Sequence, residues 1–199
     1  MILYSMPSSG NSYKVRLLLA LLGRAVTRVD VEYDSPALAQ AHADGRLPFG
    51  KAPVLVLADG TALPESNAIL CYIGAGTHFI PQDSVARAQM LAWMFWEQNQ
   101  HEGVIAVRAA LLTYAHRKPD ATPQRLAELL DRGHALLQIM EDHLGRHDWL
   151  VGTAPCLADI CLCAYTQSAG DRGGFDMARF PAIGEWLVRI AALDGYTPL

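Results

Sequence analysis

The tetrapeptide Ile80-Pro81-Gln82-Asp83 separates two stretches of chain whose apolar residues recur with different periods. Before it, short runs of strand length alternate with helical ones, and Gly or Pro marks nearly every junction. After it, only the helical period recurs. A chain written this way suits neither a single sheet nor a single bundle. It reads as a small α/β unit to about Ile73, followed by an all-helical unit from about Ser84.

In the first stretch, Ile2-Leu3-Tyr4 is a short strand and Pro7-Ser8-Ser9-Gly10 a turn. Asn11 or Ser12 is placed to cap a helix from Tyr13 to about Leu22, which Gly23 closes. Val29, Val31 and Tyr33 alternate with Arg28, Asp30 and Glu32, the period of a strand. Ser35-Pro36 opens a second helix to about Ala43. Pro53–Leu57 and Thr61–Leu63 flank Asp59-Gly60, which predicts the commonest tight hairpin. Glu65–Ile73 is a third helix, and the order is βαβαββα. In the second stretch, helical patterns cover Ser84 to about Tyr114, Thr122 to Leu144, and Leu157 to Ser168. A last helix after Phe180-Pro181 carries Ile183, Trp186, Leu187 and Ile190 on one face.

Composition narrows the classes of function. Of 199 residues, 51% are hydrophobic and 18% charged, against about 25% charged in average proteins. Such a chain buries a sizeable core. A formal charge of −4 argues against a nucleic-acid partner. No apolar run reaches the ~18 residues of a membrane helix, and Leu17–Leu22 is too short for a secretory core. The four cysteines lack C-x-x-C spacing, so reduced thiols without metal, in a cytoplasmic protein, are expected. Cys161 and Cys163 read as buried small hydrophobes, and His143 and His147 as part of a surface turn. Cys156 stands where Ser or Thr would cap the helix bearing Asp159, so a weaker cap and a structural acid are expected. Gly74-Ala75-Gly76 continues without the glycine of a dinucleotide fingerprint.

Two sites could carry chemistry. A helix start presents unpaired N–H groups that favour anions, and Glu65-Ser66-Asn67 lies at one; the same residues also suit an ordinary cap. Ser9 lies between the first strand and first helix, without the G-x-S-x-G setting of a hydrolase nucleophile. By itself it reads as a turn serine.

Together, Leu3-Tyr4-Ser5, Ser9-Gly-Asn-Ser-Tyr-Lys-Val-Arg16, Gly50-Lys-Ala-Pro-Val-Leu55 and Leu63-Pro-Glu-Ser-Asn-Ala-Ile69 resemble the cytosolic glutathione S-transferases. Leu157-Ala-Asp-Ile160 and Phe180-Pro181 are similar to the helical half of that superfamily. The resemblance implies a thioredoxin-like glutathione-binding domain over 1–76 and an all-helical domain over 84–199 shaping a hydrophobic acceptor site. It implies that Ser66, through backbone and hydroxyl, holds the γ-glutamyl carboxylate, and that Glu65 helps with the ammonium. It further implies that Pro53 is cis after Ala52, that Val54 pairs with the cysteinyl unit, and that Lys51 meets the glycine carboxylate. Phe49 stands where many relatives are polar.

Ser9 matches the serine of theta- and zeta-like classes, whose hydroxyl donates to the glutathione sulfur. Asn11 departs from the zeta pattern and is similar to the Thr-Pro-Asn segment of a nu-like class that handles glutathione disulfide. The implied activity is glutathione transfer to a small hydrophobic electrophile. A glutathione-dependent disulfide reductase and a non-catalytic glutathione-binding module are the alternatives. Tyr114 is placed by position at the acceptor site. The resemblance also implies a homodimer; Met90 and the Trp93–Trp96 stretch, read as core and interface, supply apolar surface for it.

Overall fold

The computed structural model describes residues 1–199 and divides into two compact units, Met1–Ile80 with Leu193–Leu199, and Pro81–Ala192. The stretch Leu193–Leu199, expected in the helical domain, belongs with the first unit. Tyr13 Oη donates to Thr197 O at 2.7 Å.

The first unit runs β1 (Ile2–Ser5), α1 (Gly10–Leu21), β2 (Thr27–Asp30), α2 (Pro36–Ala43), β3 (Val54–Val56), β4 (Ala62–Pro64) and α3 (Ser66–Gly74). The strands form one sheet in the order β2-β1-β3-β4. β1 and β2 are parallel and need the crossover that α1 provides, while β3 pairs antiparallel with β1 and β4. This is a thioredoxin-like arrangement. Alternation along β3 sends Leu55 to one face and Val54 and Val56 to the other. The valines join Val31, Ala41 and Leu47 in a core beneath α2. Leu3, Leu17, Leu18, Leu55, Ile69 and Leu70 are fully buried, each contributing about 1.5–3 kcal/mol by leaving water.

Three local expectations change. Ser9, rather than Asn11 or Ser12, is the N-cap of α1, and its side chain accepts from Ser12 N. β2 ends at Asp30, so Tyr33 lies beyond it and is exposed. The β3–β4 hairpin is wider than the tight two-residue type. Leu57 N donates to Thr61 O and Gly60 N to Leu57 O, leaving Ala58–Gly60 as the loop. Gly60 takes φ +88°, the left-handed position of a three-residue hairpin loop.

The second unit is helical throughout: α4 (Ser84–Trp96), α5 (Val107–Thr113), α6 (Pro123–Leu144), α7 (Leu157–Thr166), α8 (Ala169–Gly173) and α9 (Pro181–Ala191). The expected single helix to Tyr114 stays helical but widens to a π-helix over Glu97–Ala106. That stretch carries the fully buried Glu97 and His101. α7 is buried on nearly every side, as its sequence predicts. In place of the weaker cap expected at Cys156, the Cys156 thiol and Asp159 form a reciprocal capping box at the start of the helix. Asp159 accepts from Cys156 N (2.9 Å), Leu150 N (3.0 Å) and Trp186 Nε1 (2.9 Å). Cys161 is more than a small hydrophobe, since its thiol donates to Glu97 Oε2 at 3.2 Å. Thr122 caps α6 through Arg125 N. Within α6, a Cβ on Gly133 would meet the Phe175 ring at 2.2 Å. His143 and His147 stack with ring centroids 4.4 Å apart. No helix is long and apolar enough to cross a membrane.

Candidate functional site

The starts of α1 and α3 meet through side chains. The loop from β1 to α1 turns at Pro7-Ser8, and Arg16 braces it by donating to Ser5 Oγ (2.7 Å), Met6 O (3.2 Å) and Pro7 O (3.1 Å). Ser12 Oγ accepts from Met6 N at 3.0 Å inside the same turn. From the other side, Glu32 accepts from Ser8 N (2.9 Å), Ser8 Oγ (2.8 Å) and Tyr33 N (2.9 Å). Burial alone would raise its pKa, but these donors hold the carboxyl below the 4.5 of a free glutamate. The segment carrying Ser9 is therefore fixed at both ends.

Ser9 has β-region dihedrals, as an N-cap should, and its Oγ accepts from Ser12 N at 3.4 Å. That bond is long and uses a lone pair. The hydroxyl proton stays available to donate, and the partial positive charge of the α1 N-terminus lies beside it.

Asn11 sits in the first turn of α1. Its Oδ1 accepts from Lys14 Nζ at 2.8 Å and from Ser66 Oγ at 3.1 Å. Ser66 opens α3 and is 3% exposed, whereas Lys14, in mid-helix, is wholly buried. A hydroxyl has one proton. With that proton directed to Asn11, Ser66 meets an anion in this geometry through its backbone N–H.

Glu65 precedes α3 with φ +69° and provides no side-chain cap. The left-handed region costs a non-glycine residue of order 1–3 kcal/mol, and such strain concentrates at functional sites. The turn leaves the first N–H groups of α3 without a capping carboxylate from Glu65, whose side chain is exposed.

The Ala52–Pro53 bond is cis. Pro53 and Val54 are buried at the entrance of β3, Ala52 is half-buried, and Lys51 and Phe49 are exposed. Val54 stands opposite Pro64 in β4, and proline has no N–H to donate to it.

Tyr114 lies in the second unit, at the end of α5. Its hydroxyl accepts from Arg172 at 3.1 Å, and that guanidinium lies 5.7 Å from the ring centroid. Ser9, Asn11 and Ser66 are thus joined through two helix starts, while Lys51, Ala52 and Val54 occupy the β3 entrance. Sequence reasoning missed Lys14, Glu32 and Ser8. A lysine between the apolar Tyr13 and Val15 was the available signal for the first.

Residues 3–76 match the family model described as glutathione S-transferase, N-terminal domain, and residues 104–194 match its C-terminal counterpart. A solved glutathione S-transferase from Pseudomonas fluorescens is 38% identical, with 99% of this chain and 97% of that one covered and a TM-score of 0.92. Glutathione S-transferase 3 of Zea mays is 32% identical over 98% of this chain and 90% of its own. Maleylacetoacetate isomerase of Rhizobium meliloti is 29% identical over 98% and 93% respectively.

Proposed function

This chain belongs to the glutathione S-transferase superfamily, and from that premise we propose that it activates glutathione as a thiolate for attack on a small hydrophobic electrophile. It is an enzyme of the glutathione transferase type. The observation that carries the reading is the Ser9 hydroxyl, which caps α1 with a lone pair and keeps its proton for a sulfur anion. A free thiol of pKa about 8.5 is only a few per cent ionised at pH 7. Lowering that pKa by about two units takes about 2.7 kcal/mol. A charge-assisted bond of ~1.5–3 kcal/mol with a helix start worth up to about 1 supplies it.

In this reading, the α3 start and Ser66 hold the γ-glutamyl carboxylate, Glu65 its ammonium, Val54 the cysteinyl backbone, and Lys51 the glycine carboxylate. Pro53 and Ala52 shape the strand entrance, and the helical domain, with Tyr114, receives the acceptor. Residues 1–76 are the glutathione-binding domain and the helices from 84 onward the acceptor domain, with Leu193–Leu199 grouped with the first unit. The four free cysteines suit a reducing cytoplasm. Val85, Ala88, Ala92 and Phe95 recur at helical spacing on the exposed side of α4, which supports a homodimer.

A second reading rests on Asn11. Its carboxamide accepts from both Lys14 and Ser66, which ties it to the starts of both helices, and in this reading the amide serves the reacting sulfur. That would suit reduction of a mixed disulfide, in which bound glutathione thiolate attacks one sulfur and displaces the other as a thiolate.

The test compares variants with glutathione and a chlorodinitrobenzene, where the thiolate attacks the ring carbon and chloride leaves. Ser9→Ala should reduce conjugation about ten- to a hundred-fold, with Asn11→Ala costing less. If wild type reduces disulfides well and conjugates poorly, and Asn11→Ala is the worse variant, the second reading replaces the first. Glutathione binding without either activity leaves a binding module.

A further inference from the structure

β2 is the outer strand of its sheet, and beside it α1 lines a cavity of about 470 Å³, within the ~300–1,000 Å³ of small-molecule sites. None of Ser9, Asn11 and Ser66 borders it. Tyr13, Arg16 and Ala20 reach it from one stripe of α1, at the spacing of a single helix side. Leu3 and Arg28 are register partners on β1 and β2, so both leave the sheet on the same face. Arg24 reaches it from the turn between α1 and β2, and Thr197 with Pro198 supplies a rim. The Tyr13 hydroxyl moors that rim by donating to Thr197 O at 2.7 Å.

Three guanidiniums line this cavity and no carboxylate does. Each keeps N–H donors that no protein group takes. Arg16 uses Nη1 and Nη2 on Ser5, Met6 and Pro7 and keeps Nε. Arg24 gives Nη1 to Ile73 O at 2.7 Å and keeps Nε and Nη2. Arg28 holds Asp30 through Nε at 2.8 Å and Nη2 at 3.0 Å, and keeps Nη1. Burial and then the charge of Arg28 push the Arg16 pKa down, while Asp30, Tyr13 and, least of all, Glu32 act the other way. The Glu32 oxygens are already taken by Ser8 and Tyr33. Three cations set against the Asp30 carboxylate leave two positive charges facing the cavity. Leu3 and Leu19 are buried and Val26 half-buried in its lining, so apolar surface lies beside those charges.

We propose that this cavity is a second ligand site, for a small phosphomonoester with an apolar or aromatic body. Such an ester carries about −1.5 to −2 charge at pH 7 and three acceptor oxygens, which match the two positive charges and the donors left over. Guanidinium forks also fit phosphate geometry. A carboxylate or a sulfate ester brings a single charge and leaves one guanidinium uncompensated. The proposal is independent of the glutathione reading, because it uses none of the residues assigned to that ligand.

The probe is naphthyl phosphate, titrated calorimetrically into the full chain in phosphate-free buffer at about pH 7.5, above the ester's second pKa of about 6. Naphthyl sulfate serves as a monoanion of the same shape, and inorganic phosphate as the head alone. Single-site binding is expected, with the phosphate ester about ten-fold or more tighter than either control. Arg24→Gln and Arg28→Gln, both at exposed side chains, should each weaken it about ten-fold. Their melting temperatures should fall by less than about 4 °C. Asp30→Asn removes the opposing charge and should tighten binding about three-fold or more, the reverse of what a merely structural ion pair predicts. Saturating glutathione should change the affinity less than about two-fold. Equal affinity for the sulfate overturns the phosphomonoester, and equal affinity for inorganic phosphate overturns the apolar body. Unchanged affinity in both arginine variants, or displacement by glutathione, overturns the site.

Discussion

Glu32 grips Ser8 at two points, taking its backbone N–H at 2.9 Å and its hydroxyl at 2.8 Å. The residue next to Ser8 is the α1 cap, so a carboxylate just beyond β2 sets where Ser9 stands.

Glu32→Gln should therefore lower stability by about 1–2 kcal/mol and conjugation severalfold, with the rate loss exceeding that of other mild destabilisations. The pH sign follows from its depressed pKa. Stabilisation is present above the unfolded value of 4.5 and disappears as pH falls through the lower folded value. Urea midpoints measured from pH 7 to pH 3 should fall in wild type through an acid limb that is shallower in Glu32→Gln. Parallel curves would remove the carboxylate from this role.

Glu65 invites a comparison of two replacements. Ala keeps the cost of φ +69° and Gly relieves it, while both lose the carboxylate. Melting of Glu65→Gly should exceed that of Glu65→Ala by about 2–4 °C, the equivalent of about 1 kcal/mol in a chain of this size. Calorimetric affinity for glutathione should drop to the same extent in both. Divergent affinities would mean that backbone geometry, rather than charge, holds the ligand.

Asp159 anchors α7, the loop at Leu150 and Trp186 of α9 at once. Asp159→Ala would leave three buried N–H groups without their acceptor, at about 1–3 kcal/mol each. A loss of at least about 3 kcal/mol is expected by chemical denaturation. Trp186→Phe, which removes one donor and keeps most of the ring, should cost about half as much or less. Equal costs would place the stability in the indole packing instead.

The thiols should separate by reactivity. Burial pushes the Cys156 thiol well up, and Asp159 pushes it further. Cys161 and Cys163 are buried as well, whereas Cys71 is half-buried. A native-state reaction with a maleimide, followed by mass spectrometry, should label Cys71 first and slowly, and the others only after denaturation. Early labelling within α7 would show that the helix opens.

Element types were legible because each depends on periodicity within the element itself. The α2 span and the Thr122 cap stand where Ser35-Pro36 and Thr122-Pro123 predict them. What the sequence left open depends on contacts between elements. Asn11 reads as a cap until α3 brings Ser66 to it. Nothing local to Glu65 announces a positive φ, and the spacing from Ser84 to Tyr114 fits an α-helix and a π-widened one equally. Nothing local to Lys14 announces that it is wholly buried. The chemistry of the site was readable as residue types, and its hydrogen bonding was not, because each bond joins residues whose proximity is set by the fold.

The return of Leu193–Leu199 to the first unit has a consequence for biosynthesis. Gly195 fits there at φ +84°, where a Cβ would lie 2.7 Å from Ala20 O, and Thr197 takes the Tyr13 proton. These residues follow every residue of the second unit in the chain. A ribosome must therefore complete the whole helical unit before α1 acquires its last neighbours. Although nascent domains generally fold from the N-terminus onward, the contacts of Tyr13 and Ala20 with this stretch are added to the strand-bearing unit only after the helical unit has been synthesised.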